Sequence, residues 1–153
     1  MRELVVEFCE NGLSVDIISK THSAVQNFGE GAVTADHWVR RHVRNGAPKC
    51  NLLAVNELTQ IDVQLWVDIS KCILKGMSFV LSGDFKQFQA ISENWCACPV
   101  PKGSLEHSDM LFELAGGYYL ELTQKRRSDQ TLFDFHTGIL EMNLEDALAK
   151  GRQ

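Results

Sequence analysis

Apolar positions along the chain alternate between two spacings. Leu4, Val5, Phe8 and Cys9 recur at helical period over residues 2–11 and stop at Asn11-Gly12, which predicts a first helix. Val15-Asp16-Ile17-Ile18 then reads as a strand. His22 to Phe28 predicts a short helix closed by Gly29 and Gly31, and Asp36 is placed to cap a second helix running through Val43. Leu52-Leu53-Ala54-Val55 is apolar at every position, as in a strand covered on both faces. Ile61, Leu65, Ile69 and Cys72/Ile73 return to helical spacing with Gly76 as a stop, and Met77 to Leu81 is the next buried strand. Residues 88–104 read as loop. Ser104 or Ser108 caps a helix through Leu114, Tyr118 to Leu122 predicts a further strand, and Gln130 to Lys150 reads as helical with a break near Asn143.

Strands and helices alternating at this length predict an α/β fold, a parallel sheet with helices on both faces. No internal repeat or low-complexity stretch interrupts it, so one domain with a helical C-terminal appendage is the simplest organisation. The 153 residues are enough for one sizeable core. Hydrophobic residues at 44% and charged residues at 23% are ordinary for a globular protein, and no apolar run approaches the roughly 20 residues of a membrane span. The opening Met1-Arg2-Glu3-Leu4-Val5-Val6-Glu7-Phe8 is too acidic and its apolar part too short for a secretory signal. Five scattered cysteines, an odd number, point to reduced thiols in an intracellular compartment, and Cys96-Ala97-Cys98 lacks a second Cys or His pair at zinc spacing.

The net charge of −5 does not advertise nucleic-acid binding, but a local basic stripe suffices for it. Two stripes are present: Arg40, Arg41 and Arg44 with His37 and His42, and Lys125-Arg126-Arg127. The first reads equally well as solvated helix surface. Two strand ends carry the other candidate chemistry. Asn56-Glu57 follows the apolar run at Leu52, and Gly83-Asp84-Phe85-Lys86-Gln87 follows the run ending at Leu81. In a parallel sheet the carboxyl ends of strands face the ligand crevice. A carboxylate at Glu57 can polarise an attacking water, and Asn56 offers a metal a carbonyl oxygen without charge. Asn-Glu could equally cap a helix beginning near Thr59. In the second segment Gly permits a tight exit from the strand, Asp can hold the loop or a metal-bound water, and Gln can reach a phosphate oxygen.

Taken in order, Ser19-Lys20-Thr21-His22-Ser23-Ala24-Val25, Thr34-Ala35-Asp36-His37-Trp38, Asn56-Glu57-Leu58-Thr59-Gln60, Gly83 to Gln87, and Leu122-Thr123-Gln124-Lys125-Arg126-Arg127-Ser128-Asp129 resemble the ordered motifs of superfamily one DNA helicases, nearest to the RecD-like group with its PIF-type enzymes. The resemblance spans roughly residues 1–140. It implies a RecA-like, P-loop NTPase-type fold that hydrolyses ATP with magnesium while moving along single-stranded DNA. It implies Glu57 as catalytic base, Gln87 as sensor of the terminal phosphate and Arg127, with Arg126 as fallback, as the arginine on the transferred phosphoryl group. Asn56, Gly83 and Asp84 would lie around the nucleotide, with Asn56 reaching magnesium through water. Thr21, His22 and Thr34 would lie along the DNA track, joined by His37; Trp38 belongs either there or in the core.

The departures from the pattern bear on activity. No Gly-x-x-x-x-Gly-Lys-Ser/Thr loop occurs in these residues, and Asn56 stands where the family has Asp. The expectation is a first motor domain over residues 1–129, incomplete at its N-terminus, with residues 130–153 extending towards a second motor domain. Such a chain is catalytically incompetent by itself, and its partners would be single-stranded DNA and the missing segment or domain. The alternatives are a non-catalytic single-stranded nucleic-acid-binding or interaction module, or an unrelated flavodoxin-like binding domain.

Overall fold

The computed structural model describes residues 1–87, 90, 94–101 and 103–122. The chain divides into two compact units, Met1–Tyr119 and Leu120–Gln153, and every element below belongs to the first. Arg126, Arg127 and the expected C-terminal helix of residues 130–150 lie outside the described residues.

The elements run α1 (Arg2–Glu10), β1 (Val15–Ser19), α2 (His22–Gln26), β2 (Ala32–Thr34) and α3 (Ala35–Trp38), which continues as a π-wound segment, Val39–Arg44. Then come β3 (Leu52–Asn56), a 3₁₀ turn (Leu58–Gln60), α4 (Val63–Ser70) with a 3₁₀ extension (Lys71–Lys75), β4 (Ser78–Leu81), a two-residue hairpin β5 (Asn94–Trp95) and β6 (Cys98–Pro99), and α5 (Asp109–Leu114). Four strands form one sheet in the order β2-β1-β3-β4, with every neighbouring pair parallel. The expected parallel α/β architecture is therefore present.

Register places Ile18, Val55 and Leu81 in one row and Asp16, Leu53 and Phe79 in the next. Side chains alternate across a strand, so both rows project from the same face. On that face they meet Trp38, Val39, Leu65, Trp66, Ile69 and Cys72, all 5% exposed or less, with Leu111 and Leu114 of α5 in the same cluster. Asp16 survives there because the Trp38 indole N–H donates to its Oδ2 at 2.7 Å. Crossovers between parallel strands are right-handed, and β1 to β2 runs opposite in direction to β3 to β4. This sends α2 to the face opposite α3 and α4, in keeping with buried Ala24 lying outside the main cluster.

Several local expectations are corrected. The helix after residue 34 is capped by Thr34, whose Oγ1 accepts from the His37 N–H at 3.4 Å, and not by Asp36, which sits inside the first turn. Helix α4 starts at Val63, where the Asp62 carboxylate accepts from the Leu65 N–H at 3.0 Å; extended Ile61 separates it from the Leu58–Gln60 turn. Tyr118 to Leu122 forms no strand and its apolar side chains are exposed. Residues 94–99, expected as loop, contain the small hairpin. Ser108, rather than Ser104, caps α5, and Gly76 ends its helical segment with φ of +76° as anticipated.

Candidate functional site at the carboxyl ends of the strands

Because the connections leaving β1 and β3 diverge, the carboxyl ends of these two strands border the switch point of the sheet, where open α/β sheets take their ligands. Ser19 ends β1 and Lys20 follows it, Asn56 ends β3 and Glu57 follows it, and Ser82 to Gln87 follow β4. Two different environments result.

On the β3–β4 side the polar groups are tied to one another. Glu57 takes a left-handed conformation, φ 55° and ψ 50°, which costs a non-glycine residue on the order of 1 kcal/mol. Its Oε2 accepts from the Ser19 hydroxyl at 3.4 Å, and Ser19 is fully buried. Glu57 precedes the 3₁₀ turn but its side chain caps nothing, so the capping alternative does not describe it. Asn56 Oδ1 accepts from the Ser82 hydroxyl at 3.3 Å. Past Gly83, Asp84 organises the loop: its carboxylate accepts from the Lys86 backbone N–H at 2.9 Å and from Gln87 Nε2 at 3.2 Å. Gly83 is needed for space, not for an unusual φ. A Cβ there would sit 2.8 Å from Leu58 Cγ and 3.0 Å from Leu58 N, at the point where the Leu58 N–H donates to Ser82 O at 3.0 Å.

Asn56 brings an uncharged oxygen that is already engaged, and among the described residues no three His, Cys, Asp or Glu side chains stand together where they could share a metal ion.

On the β1–β2 side the arrangement is open. A cavity of about 560 Å³ is floored by Ala32, Val33 and Thr34 of β2 and walled by His22 and Val25 of α2 on one side, and by Asp36, His37, Arg40 and Arg44 on the other. His22, Thr34 and His37, three of the four residues expected along a nucleic-acid track, are thus brought together. The fourth, Thr21, is set aside from them; its Oγ1 accepts from the Ala24 N–H at 3.2 Å and caps α2. Arg40 and Arg44 join from the basic stripe because the segment that carries them continues α3 along the wall. The Asn45 N–H bonds Arg40 O at 3.1 Å, the five-residue closure of a π turn. Trp38 is core, 1% exposed, with its ring 5.4 Å from that of His42.

The basic side chains of this wall differ in what holds them. Arg44 donates through Nε and Nη2 to Asp68 Oδ2 at 3.0 and 2.6 Å, and Lys71 bonds Oδ1 of the same carboxylate at 2.6 Å. Burial alone would raise the Asp68 pKa, but bonds to Lys71 and Arg44 outweigh it and the value is lowered. The Arg40, His22 and His37 side chains enter no ion pair or side-chain hydrogen bond among the described residues.

Between the two sides stands Lys20, 2.9 Å from Asp36 Oδ2 and 2.9 Å from Asp62 Oδ2. Burial acts to lower its pKa, yet the two carboxylates more than offset this and raise it. Burial likewise works against the Asp62 carboxylate, but Lys20 and the Leu65 N–H hold it below its ordinary value. The buried thiols are chemically quiet: burial, then Asp16, pushes Cys50 up to about 12, and burial raises Cys72.

Sequence reasoning passed over Ser19, Lys20, Asp62 and Ser82 as functional neighbours. Ser19 carried a signal, a hydroxyl ending an apolar strand; the Lys20 bridges join residues 16 and 42 positions apart and left none. Among the described residues no helix is long and apolar enough to cross a membrane. No protein-family model matches the chain, and no curated protein matches it.

Proposed function

We propose that this chain is a RecA-like helicase-type motor wall that binds single-stranded nucleic acid through the cavity between α2 and α3 and does not hydrolyse ATP by itself. The observation that carries the reading is the convergence of His22, Thr34 and His37 on one cavity together with Arg40 and Arg44. The motif order picked out three of these residues for a nucleic-acid track, and they come from α2, β2 and α3. A backbone phosphate there would meet the Arg40 guanidinium, which has no ion-pair partner among the described residues, with the imidazoles beside it. Exposed cations and an open cavity suit a polyanion that enters from solvent.

The proposal routes no chemistry through ATP or magnesium. A cradle of backbone amides and its lysine are absent from these residues, and Asn56 replaces the charged magnesium partner. Glu57 holds the place of the base by resemblance, but here its carboxylate is bonded to Ser19.

Fluorescence anisotropy with labelled oligothymidylate tests it. The expected dissociation constant is on the order of 10⁻⁵ M at physiological salt, tightening as salt falls. Arg40→Ala should weaken binding and flatten the log–log salt slope by about 0.7, the share of one phosphate contact on a single strand. Equal affinity and slope in wild type and Arg40→Ala would remove the cavity from the account.

A further inference from the structure

We infer that Cys96 and Cys98, with Met110 beside them, form a binding site for a soft monovalent metal ion of the copper(I) class. Both thiols are free and exposed. Cys96 opens the two-residue turn between β5 and β6, and Cys98 is the first residue of β6. Cys96 and Ala97 are both left-handed, with φ of 50° and 65°, the turn that matches the twist of a tight hairpin. A residue curled as Ala97 is sets the Cα atoms on either side of it about 5.5 Å apart, by the pitch and radius of a helical turn. That falls inside the range of roughly 4.4–6.8 Å over which two cysteine sulfurs can be brought together. The remaining cysteines offer no such pair: Cys9 is the one cysteine of α1, and Cys50 and Cys72 are buried.

Cys98 also lines a second cavity, of about 360 Å³, with its cross-strand partner Trp95, with Pro99 and Leu105, and with Met110 of α5. This cavity shares no lining residue with the basic one. A thioether and a thiol thus border one apolar space, with the second thiol two residues away. Among the described residues no third Cys, His, Asp or Glu stands with the two thiols. A zinc centre closed by four such ligands is therefore short of donors, and a hard cation finds no set of oxygens. Copper(I) is satisfied by two thiolates, and a thioether suits it as a further soft donor. The apolar lining also favours a soft ion of low charge over a hydrated divalent one. Each thiol gives its proton to solvent as its sulfur takes the metal, so a monovalent ion between two thiolates leaves a single negative charge at the exposed hairpin.

Anaerobic titration of the reduced full chain with copper(I), against a colorimetric copper(I) chelator as competitor, tests the site. One equivalent per chain should be withheld from the chelator. Cys96→Ser and Cys98→Ser should each lower the affinity by about a hundredfold or more, since one thiolate alone forms no chelate. Both positions are exposed, so serine there removes no core packing. Met110→Leu, close in volume, should keep the fold and weaken binding severalfold. Cys9→Ser should bind as the wild type does. Trp95 supplies a second readout: it is 40% exposed while Trp38 and Trp66 are 1% and 0% exposed, so quenching of the solvent-exposed emission should saturate at the same equivalent. X-ray absorption at the copper edge should show sulfur neighbours alone. Equal affinity in the wild type and in any of the Cys96, Cys98 or Met110 variants overturns the inference. So do one ion shared by two chains, nitrogen ligands in the absorption spectrum, or zinc(II) held as tightly as copper(I).

Discussion

The corner beside β3 and β4 and the cavity along β2 are both lined with polar side chains, acids and amides in the first and basic groups in the second, and hold them in opposite ways. Beside β3 and β4, Glu57 is bonded to Ser19, Asn56 to Ser82 and Gln87 to Asp84. Beside β1 and β2, Arg40, His22 and His37 surround a cavity of about 560 Å³ and carry no internal partner among the described residues. Hydrogen-bonding groups that satisfy each other rigidify a loop; groups left facing solvent around a concavity can exchange water for a ligand. On the function proposed above, ligand binding falls to the second half, and the first is held together by its own hydrogen bonds around Glu57.

The contrast can be broken hardest from the β3–β4 side. Gly83→Val would press against Leu58 backbone and side chain, and should destabilise the chain by about 3 kcal/mol, seen as a lower thermal midpoint, because the closest contacts cannot all yield. The cavity side should prove more forgiving except where it is anchored. Asp68→Asn weakens the bonds to Arg44 and Lys71, and should cost about 2 kcal/mol in denaturant unfolding, since the carboxylate is buried while both partners are half-exposed. The same anchor gives a pH dependence. The folded pKa of Asp68 lies below its unfolded value near 3.8, and so does that of Asp62. Their stabilisation is complete well above that value and is lost as pH falls through the folded values, so the acid limb of unfolding should soften in Asp68→Asn. Arg40→Ala should weaken oligonucleotide binding by about tenfold, or roughly 1.4 kcal/mol, without moving the thermal midpoint appreciably. The smallest expected effect is Glu57→Gly, where relief of the left-handed strain and loss of the Ser19 bond nearly cancel, leaving stability within about 1 kcal/mol of wild type.

How far these halves could be read from sequence depends on whether the signal was local. β3 was legible because Leu52 to Val55 is apolar throughout, as a strand covered on both faces demands. β2 was not, since three residues set after Gly29-Glu30-Gly31 carry no periodicity, and only parallel pairing with Ile17 to Ser19 makes them a strand. Thr34 and Asp36 are both good caps; the length of β2 decided between them. Tyr118 to Leu122 has strand composition, but a strand exists only with a partner, and these residues stand exposed. At the site, the resemblance set Thr21, His22, Thr34 and His37 along one track; the structure brings the last three to one cavity and leaves Thr21 as the cap of α2. The Lys20 bridges and the Ser19–Glu57 bond arise from sheet order, which no local window contains.

Side-by-side calorimetric titrations of the full chain with oligothymidylate and with magnesium-ATP address the contrast between the halves most directly. The account predicts heat and saturation with the oligonucleotide, reduced in Arg40→Ala, and no saturable binding of magnesium-ATP. Saturable magnesium-ATP binding that Glu57→Gln or Asn56→Ala alters, with no oligonucleotide binding at low salt, would contradict it.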